Sequence, residues 1–169
     1  MELALAQAKK AFDMGEIPIG AVVVKDGKVV ARAYNNRQNS RISTNHAEIL
    51  ALQKACKKLG DWRLCDCDIY VTTIPCPMCA GAIVNSRIRK VFYGATNPNK
   101  ELFEKILTQS CLNHTCQFEG EIMQLECSEL LSSFFKQKRK WTFWCLSKIL
   151  YNQNVWLSVF WLTICMNKF

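Results

Sequence analysis

The chain has 169 residues, 50% of them apolar and 21% charged, the balance of an ordinary globular protein. That length suits one compact domain and hardly two, and the composition excludes a chain disordered over its bulk. A formal net charge of +8 favours a polyanionic partner, either nucleic acid or an anionic membrane surface, without choosing between them.

Residues 2–14 repeat apolar positions at helical spacing, with Leu5, Ala8, Ala11 and Phe12 on one face, and Gly15 suits a left-handed stop. IGAVVVK and KVVARA flank Asp26-Gly27, the signature of a tight hairpin. Residues 35–45 are polar and irregular and predict a loop. HAEILALQKACKKLG predicts a helix, with Thr44 or Asn45 as its cap, Lys57 and Lys58 at its negative end and Gly60 as its stop. Residues 68–73 predict a strand. Pro75 and Pro77 bracket Cys76 at a turn, and Pro77 suits the first turn of a helix running through MCAGAIVNS. Residues 90–94 predict a strand and 101–109 a helix. A further helix over 124–138 places Leu130, Leu131, Phe134 and Phe135 inward and ends on KQKRK. Strands alternating with helices after a hairpin argue for a mixed sheet covered on both faces.

The segment 141–169 differs. It holds four of the five tryptophans, no acidic residue, and only Lys148 and Lys168 as charges. Its most apolar run, VWLSVFWLTICM, is too short to span a bilayer, and a longer span would bury Lys148. Packing on the domain or peripheral membrane association is expected rather than spanning. Ten cysteines would suit a secreted disulfide framework behind an apolar leader. The opening run instead carries Lys9, Lys10 and Asp13, so a reducing cytoplasm and mostly buried thiols are expected.

His46-Ala47-Glu48 opens one predicted helix and Pro75-Cys76-Pro77-Met78-Cys79 the next. One imidazole and two thiolates form a three-ligand zinc set that leaves a fourth position for water. Bound zinc brings the pKa of that water to about 7. Cys-x-x-Cys puts both sulfurs on one helical turn, whose positive end favours thiolates. Glu48, two residues from His46, is free to act as a proton carrier instead of a ligand. Alone, a His at a helix start reads as a cap and a Cys-x-x-Cys as a redox pair or core. Both motifs together, with a strand between them, form the signature of zinc deaminases acting on nucleobases. Cys65 and Cys67, and the group Cys111, His114 and Cys116, lack the usual ligand spacing and are expected to be ordinary residues.

Over residues 1–140, the stretches EIPIGAVVV, NHAEILAL, DWRL, DIYVT, PCPMCAGAIVNSRI, VFYGA and CSELLSSFFKQKRK resemble the bacterial tRNA-specific adenosine deaminases of the cytidine deaminase superfamily. The first and last of these point away from guanine and cytidine deaminases. The resemblance implies an α/β fold: a three-layer α/β/α cytidine-deaminase-like domain with a mixed, mainly five-stranded sheet. The 141–169 extension has no counterpart in it. The implied reaction converts the wobble adenosine of a tRNA anticodon to inosine. Water activated by one Zn2+ per subunit attacks C6 while Glu48 shuttles protons.

The resemblance further implies that Asn35 reads the flipped base, that Ile19 and Pro75 pack against it, and that the Ala47 backbone orients it. A cytoplasmic homodimer would contact the anticodon stem-loop, whose unpaired adenosine is cheap to extrude. Lys136, Lys138, Arg139 and Lys140 are candidate RNA-phosphate contacts, with a solvated helix end as the alternative. Ile74 departs from the family, which usually has Glu there. Two other functions are compatible with these residues: deamination of a free guanine or cytosine-type substrate, or a non-catalytic zinc-containing tRNA-binding subunit.

Overall fold

The computed structural model describes residues 1–109 and 114–152. Helix α1 (Glu2–Asp13) buries Ala4, Leu5, Ala8 and Ala11 as one stripe, and Gly15 follows it at φ 75°. Strands β1 (Gly20–Lys25) and β2 (Lys28–Tyr34) pair antiparallel through Asp26 and Gly27, at φ 50° and 71°. Two positive φ angles give the turn the twist that strands require. A Cβ on Gly20 would strike the Ala4 carbonyl and the Ala8 nitrogen, so the α1 backbone rests directly on β1.

The predicted loop 35–45 contains a one-turn helix, α2 (Arg37–Ser40), held by the Ser40 hydroxyl on the Asn36 carbonyl and by the Asn39 N–H on Glu16. Helix α3 (Ala47–Leu59) stops at Gly60 in the left-handed conformation, as the sequence implies. Its cap differs from the expectation. His46 occupies the cap position in place of Thr44 or Asn45, and the Asn45 amide instead donates to Ser40 Oγ at 2.9 Å. Strand β3 (Cys67–Thr73), helix α4 (Pro77–Asn85), strand β4 (Lys90–Ala95) and helix α5 (Lys100–Thr108) match the predicted elements. Strand β5 (Gln117–Glu119) has three residues, too few for a readable alternation.

The sheet order is β2-β1-β3-β4-β5, with β1 antiparallel to both neighbours and β3, β4 and β5 parallel. Ala21, Val23, Ile69, Val71, Val91 and Tyr93 form one face of the core with Ala51, Ala55, Ala80, Ile83, Phe103 and Leu107 from α3, α4 and α5. α1 covers the opposite face beside the first turns of α6 (Gln124–Asn152), where Leu5, Ala95 and Cys127 meet Leu130 and Leu131. The three-layer mixed five-stranded α/β architecture is therefore as expected.

Phe134 meets Phe12 edge-on, ring centroids 5.7 Å apart, while Phe135, expected inward, is 45% exposed. One residue on, it lies roughly 100° round the helix. α6 passes the predicted end at 138 and runs through the compositional boundary at 140/141. The compact unit carrying the sheet spans Met1–Phe134, and from Phe135 the helix belongs to a second unit. Among the described residues no helix is long and apolar enough to cross a membrane. The run VWLSVFWLTICM lies outside them.

Candidate active site

Two helix N-termini, those of α3 and α4, carry the candidate ligand residues. His46 is the cap residue of α3 and Cys76 that of α4, both with extended backbone, and neither side chain caps its own helix. Pro77, whose missing N–H costs nothing in a first turn, fixes the start of α4 and projects Cys76 and Cys79 to one side. His46 Nδ1 lies 3.7 Å from Cys76 Sγ and 3.6 Å from Cys79 Sγ. A tetrahedral zinc, with bonds of about 2.3 Å to sulfur and about 2.05 Å to nitrogen, separates such atoms by about 3.5 Å. The donor set therefore fits zinc. It is also the sole cluster of three or more potential ligands among the described residues.

The electrostatics agree with that fit. A hydrogen bond from Cys79 holds the Cys76 thiol down at about 5, aided by the Cys79 and Met78 amides and by His46. Cys79, which keeps the proton of that pair, is pushed far up, with burial and Glu48 adding to the effect. Two thiols and a buried carboxylate thus gather around one imidazole, a set whose negative forms a cation would stabilise. Glu48 is 2% exposed, and burial raises its pKa. Its Oε2 is buried with no hydrogen-bond partner among the described residues. A buried carboxylate oxygen left open beside a metal set is where a proton carrier would meet water.

The candidate base-binding residues lie on the segments that precede β1, follow β2, open α3 and precede α4. Asn35 follows β2, 4% exposed, and its N–H donates to the Ile19 carbonyl at 2.9 Å. The Asn36 N–H donates to Asn45 at 3.0 Å, which brings this segment beside His46. Ala47 is the buried first residue of α3, Ile19 packs on the core, and Pro75 is buried next to Cys76. Ile74 is 2% exposed within the apolar core, its carbonyl accepting from Asn97 Nδ2 at 3.1 Å. Lys136, Lys138 and Arg139 are exposed on α6, and Lys140 follows them on the same helix.

Sequence reasoning missed Glu16, fully buried and bonded to Asn35. A lone carboxylate after a helix stop reads as loop, and nothing local marks its partner. Cys65 is exposed, Cys67 is buried, and His114 Nε2 and Cys116 Sγ both meet the Ile88 carbonyl, at 2.7 and 3.0 Å. Cys111 lies outside the described residues.

The MafB19-like deaminase family matches residues 1–139. The tRNA-specific adenosine deaminase of Bacillus subtilis (strain 168) is 44% identical over 143 residues, covering 83% of this chain and 89% of that protein. Its counterpart in Aquifex aeolicus (strain VF5) is 41% identical, covering 82% and 93%. A solved structure from a study of A-to-I editing by tRNA:A34 deaminases at the wobble position of transfer RNA is 40% identical, with a TM-score of 0.71. It covers 78% of this chain and 97% of that one. A guanine deaminase from Bacillus subtilis is 34% identical with a TM-score of 0.55, covering 82% and 90%. The chain belongs to the MafB19-like deaminases and to the tRNA-specific adenosine deaminase family.

Proposed function

We propose that this chain hydrolyses the exocyclic amine of the wobble adenosine in a tRNA anticodon, adenosine and water giving inosine and ammonia. The observation that carries the proposal is the buried Glu48 carboxylate, one oxygen unpartnered, beside a His/Cys/Cys set spaced for zinc. His46, Cys76 and Cys79 would hold one zinc ion per subunit, which would acidify water and so provide a nucleophile at neutral pH. Glu48 takes one proton from water as attack falls on C6 and passes it to the ring nitrogen, then takes a second from the new hydroxyl and passes it to the departing amine, which leaves as ammonia. Burial favours its protonated form and so helps it hold the proton between those transfers.

Asn35 reads the base edge, Ile19 and Pro75 pack on its faces, and the Ala47 backbone orients it. Lys136, Lys138, Arg139 and Lys140 hold phosphates of the anticodon stem-loop. The enzyme works as a cytoplasmic homodimer whose catalytic domain spans 1–140 and is followed in the chain by the 141–169 extension. Identity to the tRNA-specific relatives supports RNA as the substrate, and the likeness to a guanine deaminase supplies the control.

The test is to incubate purified, zinc-assayed protein with an adenosine-bearing anticodon stem-loop, and separately with guanine and with cytidine. Nucleosides are then analysed by chromatography and mass spectrometry. Inosine at the wobble position, with the small substrates untouched, is the expected outcome. Turnover of guanine or cytidine alone would move the substrate to free bases or nucleosides. No turnover by zinc-loaded protein that binds the stem-loop would leave a non-catalytic RNA-binding subunit.

A further inference from the structure

Beside the site lies an acidic residue that the reaction does not use. Glu16, between α1 and β1, is 0% exposed. Its Oε2 accepts a hydrogen bond from Asn35 Nδ2 at 3.0 Å, and its Oε1 accepts the Asn39 backbone N–H at 2.7 Å. With the Asn35 N–H on the Ile19 carbonyl and Asn39 Nδ2 3.4 Å from the Met14 carbonyl, segment 14–19 is stitched to segment 35–39. Both hydrogen-bond partners of the carboxylate among the described residues are neutral amides. A carboxylate buried on those terms costs stability. An apolar residue would fill the volume at lower cost, so packing alone does not account for Glu16.

An asparagine amide presents a donor on one side and an acceptor on the other, and a flip exchanges what it offers a ligand. Both Glu16 carboxylate oxygens accept here, one from the Asn39 N–H and one from Asn35 Nδ2. Glu16 therefore admits one orientation of Asn35, with Nδ2 toward itself and Oδ1 on the other side. Through Asn39 it also anchors α2, which begins two residues after Asn35.

We propose that Glu16 is a positioning residue that fixes the orientation of the Asn35 amide, and hence which hydrogen-bonding pattern of a base the site accepts. The inference rests on Asn35 contacting the base. Glutamine is nearly isosteric but offers one acceptor and one donor. With its oxygen on the Asn39 N–H, its NH2 faces Asn35 and turns that amide over.

The experiment is a double-mutant cycle on kcat/KM with the adenosine-bearing stem-loop, using the zinc-loaded wild type, Glu16→Gln, Asn35→Ala and the double variant, with zinc content and Tm recorded. Glu16→Gln should keep its zinc and lose about tenfold in kcat/KM, the scale of a displaced positioning contact. Asn35→Ala should lose at least as much. In the Asn35→Ala background, Glu16→Gln should change kcat/KM by less than about twofold, because its effect passes through the missing amide.

A merely structural role predicts equal losses in both backgrounds, and that result overturns the proposal. Normal turnover by Glu16→Gln with an impaired Asn35→Ala overturns it alone. Normal turnover by Asn35→Ala overturns base reading by Asn35 and this inference with it. Should Glu16→Gln fail to fold, nuclear magnetic resonance of the wild type decides. Slow exchange of an Asn35 side-chain amide proton upholds the clamp, and exchange at the rate of a free amide overturns it.

Discussion

Glu48 and Cys76 show how single residues acquire chemistry from their surroundings. Burial holds the Glu48 carboxyl above the ordinary carboxylate range, and its Oε2 has no protein partner among the described residues. Glu48→Gln should therefore retain zinc and stem-loop binding while turnover falls at least about a hundredfold, the lower range for general acid–base catalysis. Single-turnover inosine formation with a parallel zinc assay measures this, and near-normal turnover would place the proton transfer elsewhere.

Cys76 sits at about 5, held there first by the hydrogen bond from Cys79, whereas burial pushes Cys116 up to about 12 and Cys127 to about 11. At pH 7 a group below that pH is a thiolate and groups above it are thiols, and the thiolate is the nucleophile. In chelator-treated protein, iodoacetamide should label Cys76 well before Cys116 or Cys127, and added zinc should protect Cys76. Peptide mass spectrometry reads the order. Equal labelling of the three would contradict the assigned environment.

At the scale of elements, the site is built by two helices entering it N-terminus first. The motifs were legible because metal ligation demands fixed residue types at fixed offsets, and the prolines around Cys76 fix where the second helix begins. The cap of α3 was misread for the same reason. Asn45 and Thr44 have the better capping chemistry, but the helix starts where His46 meets the sulfurs. Three-residue β5 and one-turn α2 left no periodic trace. Both are held by tertiary partners, β5 by its pairing with β4 and α2 by Glu16.

Gly20 supports this arrangement from behind. It lets the α1 backbone lie on β1 one residue beyond Ile19, and its N–H donates to Thr72 Oγ1 at 3.1 Å. Gly20→Ala should destabilise the fold by about 1–3 kcal/mol through overpacking. Denaturant unfolding of the zinc-loaded protein checks it, and an unchanged midpoint would show that α1 shifts freely.

For the whole molecule, the decisive quantities are charge and the division at Phe134. The net charge of +8 gains meaning from Lys136, Lys138, Arg139 and Lys140, gathered on α6 beyond the unit that carries the site. Exposed cations that neutralise phosphates release counterions and make binding fall with salt. Replacing Lys138, Arg139 and Lys140 by Ala should weaken stem-loop affinity and flatten its dependence on salt. Zinc content and the rate at saturating RNA should change little, since these residues would position RNA without touching C6. Fluorescence anisotropy across a salt series measures both quantities. Wild-type affinity and slope would make the cluster a solvated helix end only.

The sequence by itself determined the candidate metal set and candidate proton carrier, the hairpin, the alternation of strands with helices and the start of α4. Each follows from residue types at short, fixed separations. Tertiary structure alone decided that Glu16 and Asn35, 19 positions apart, meet in a buried hydrogen bond. It also decided that Phe134 meets Phe12 of α1, and that His46 takes the cap position of α3. The physical reason is common to all three. A side chain's partner across a packed interior is set by the folded path of the backbone, which no local periodicity encodes.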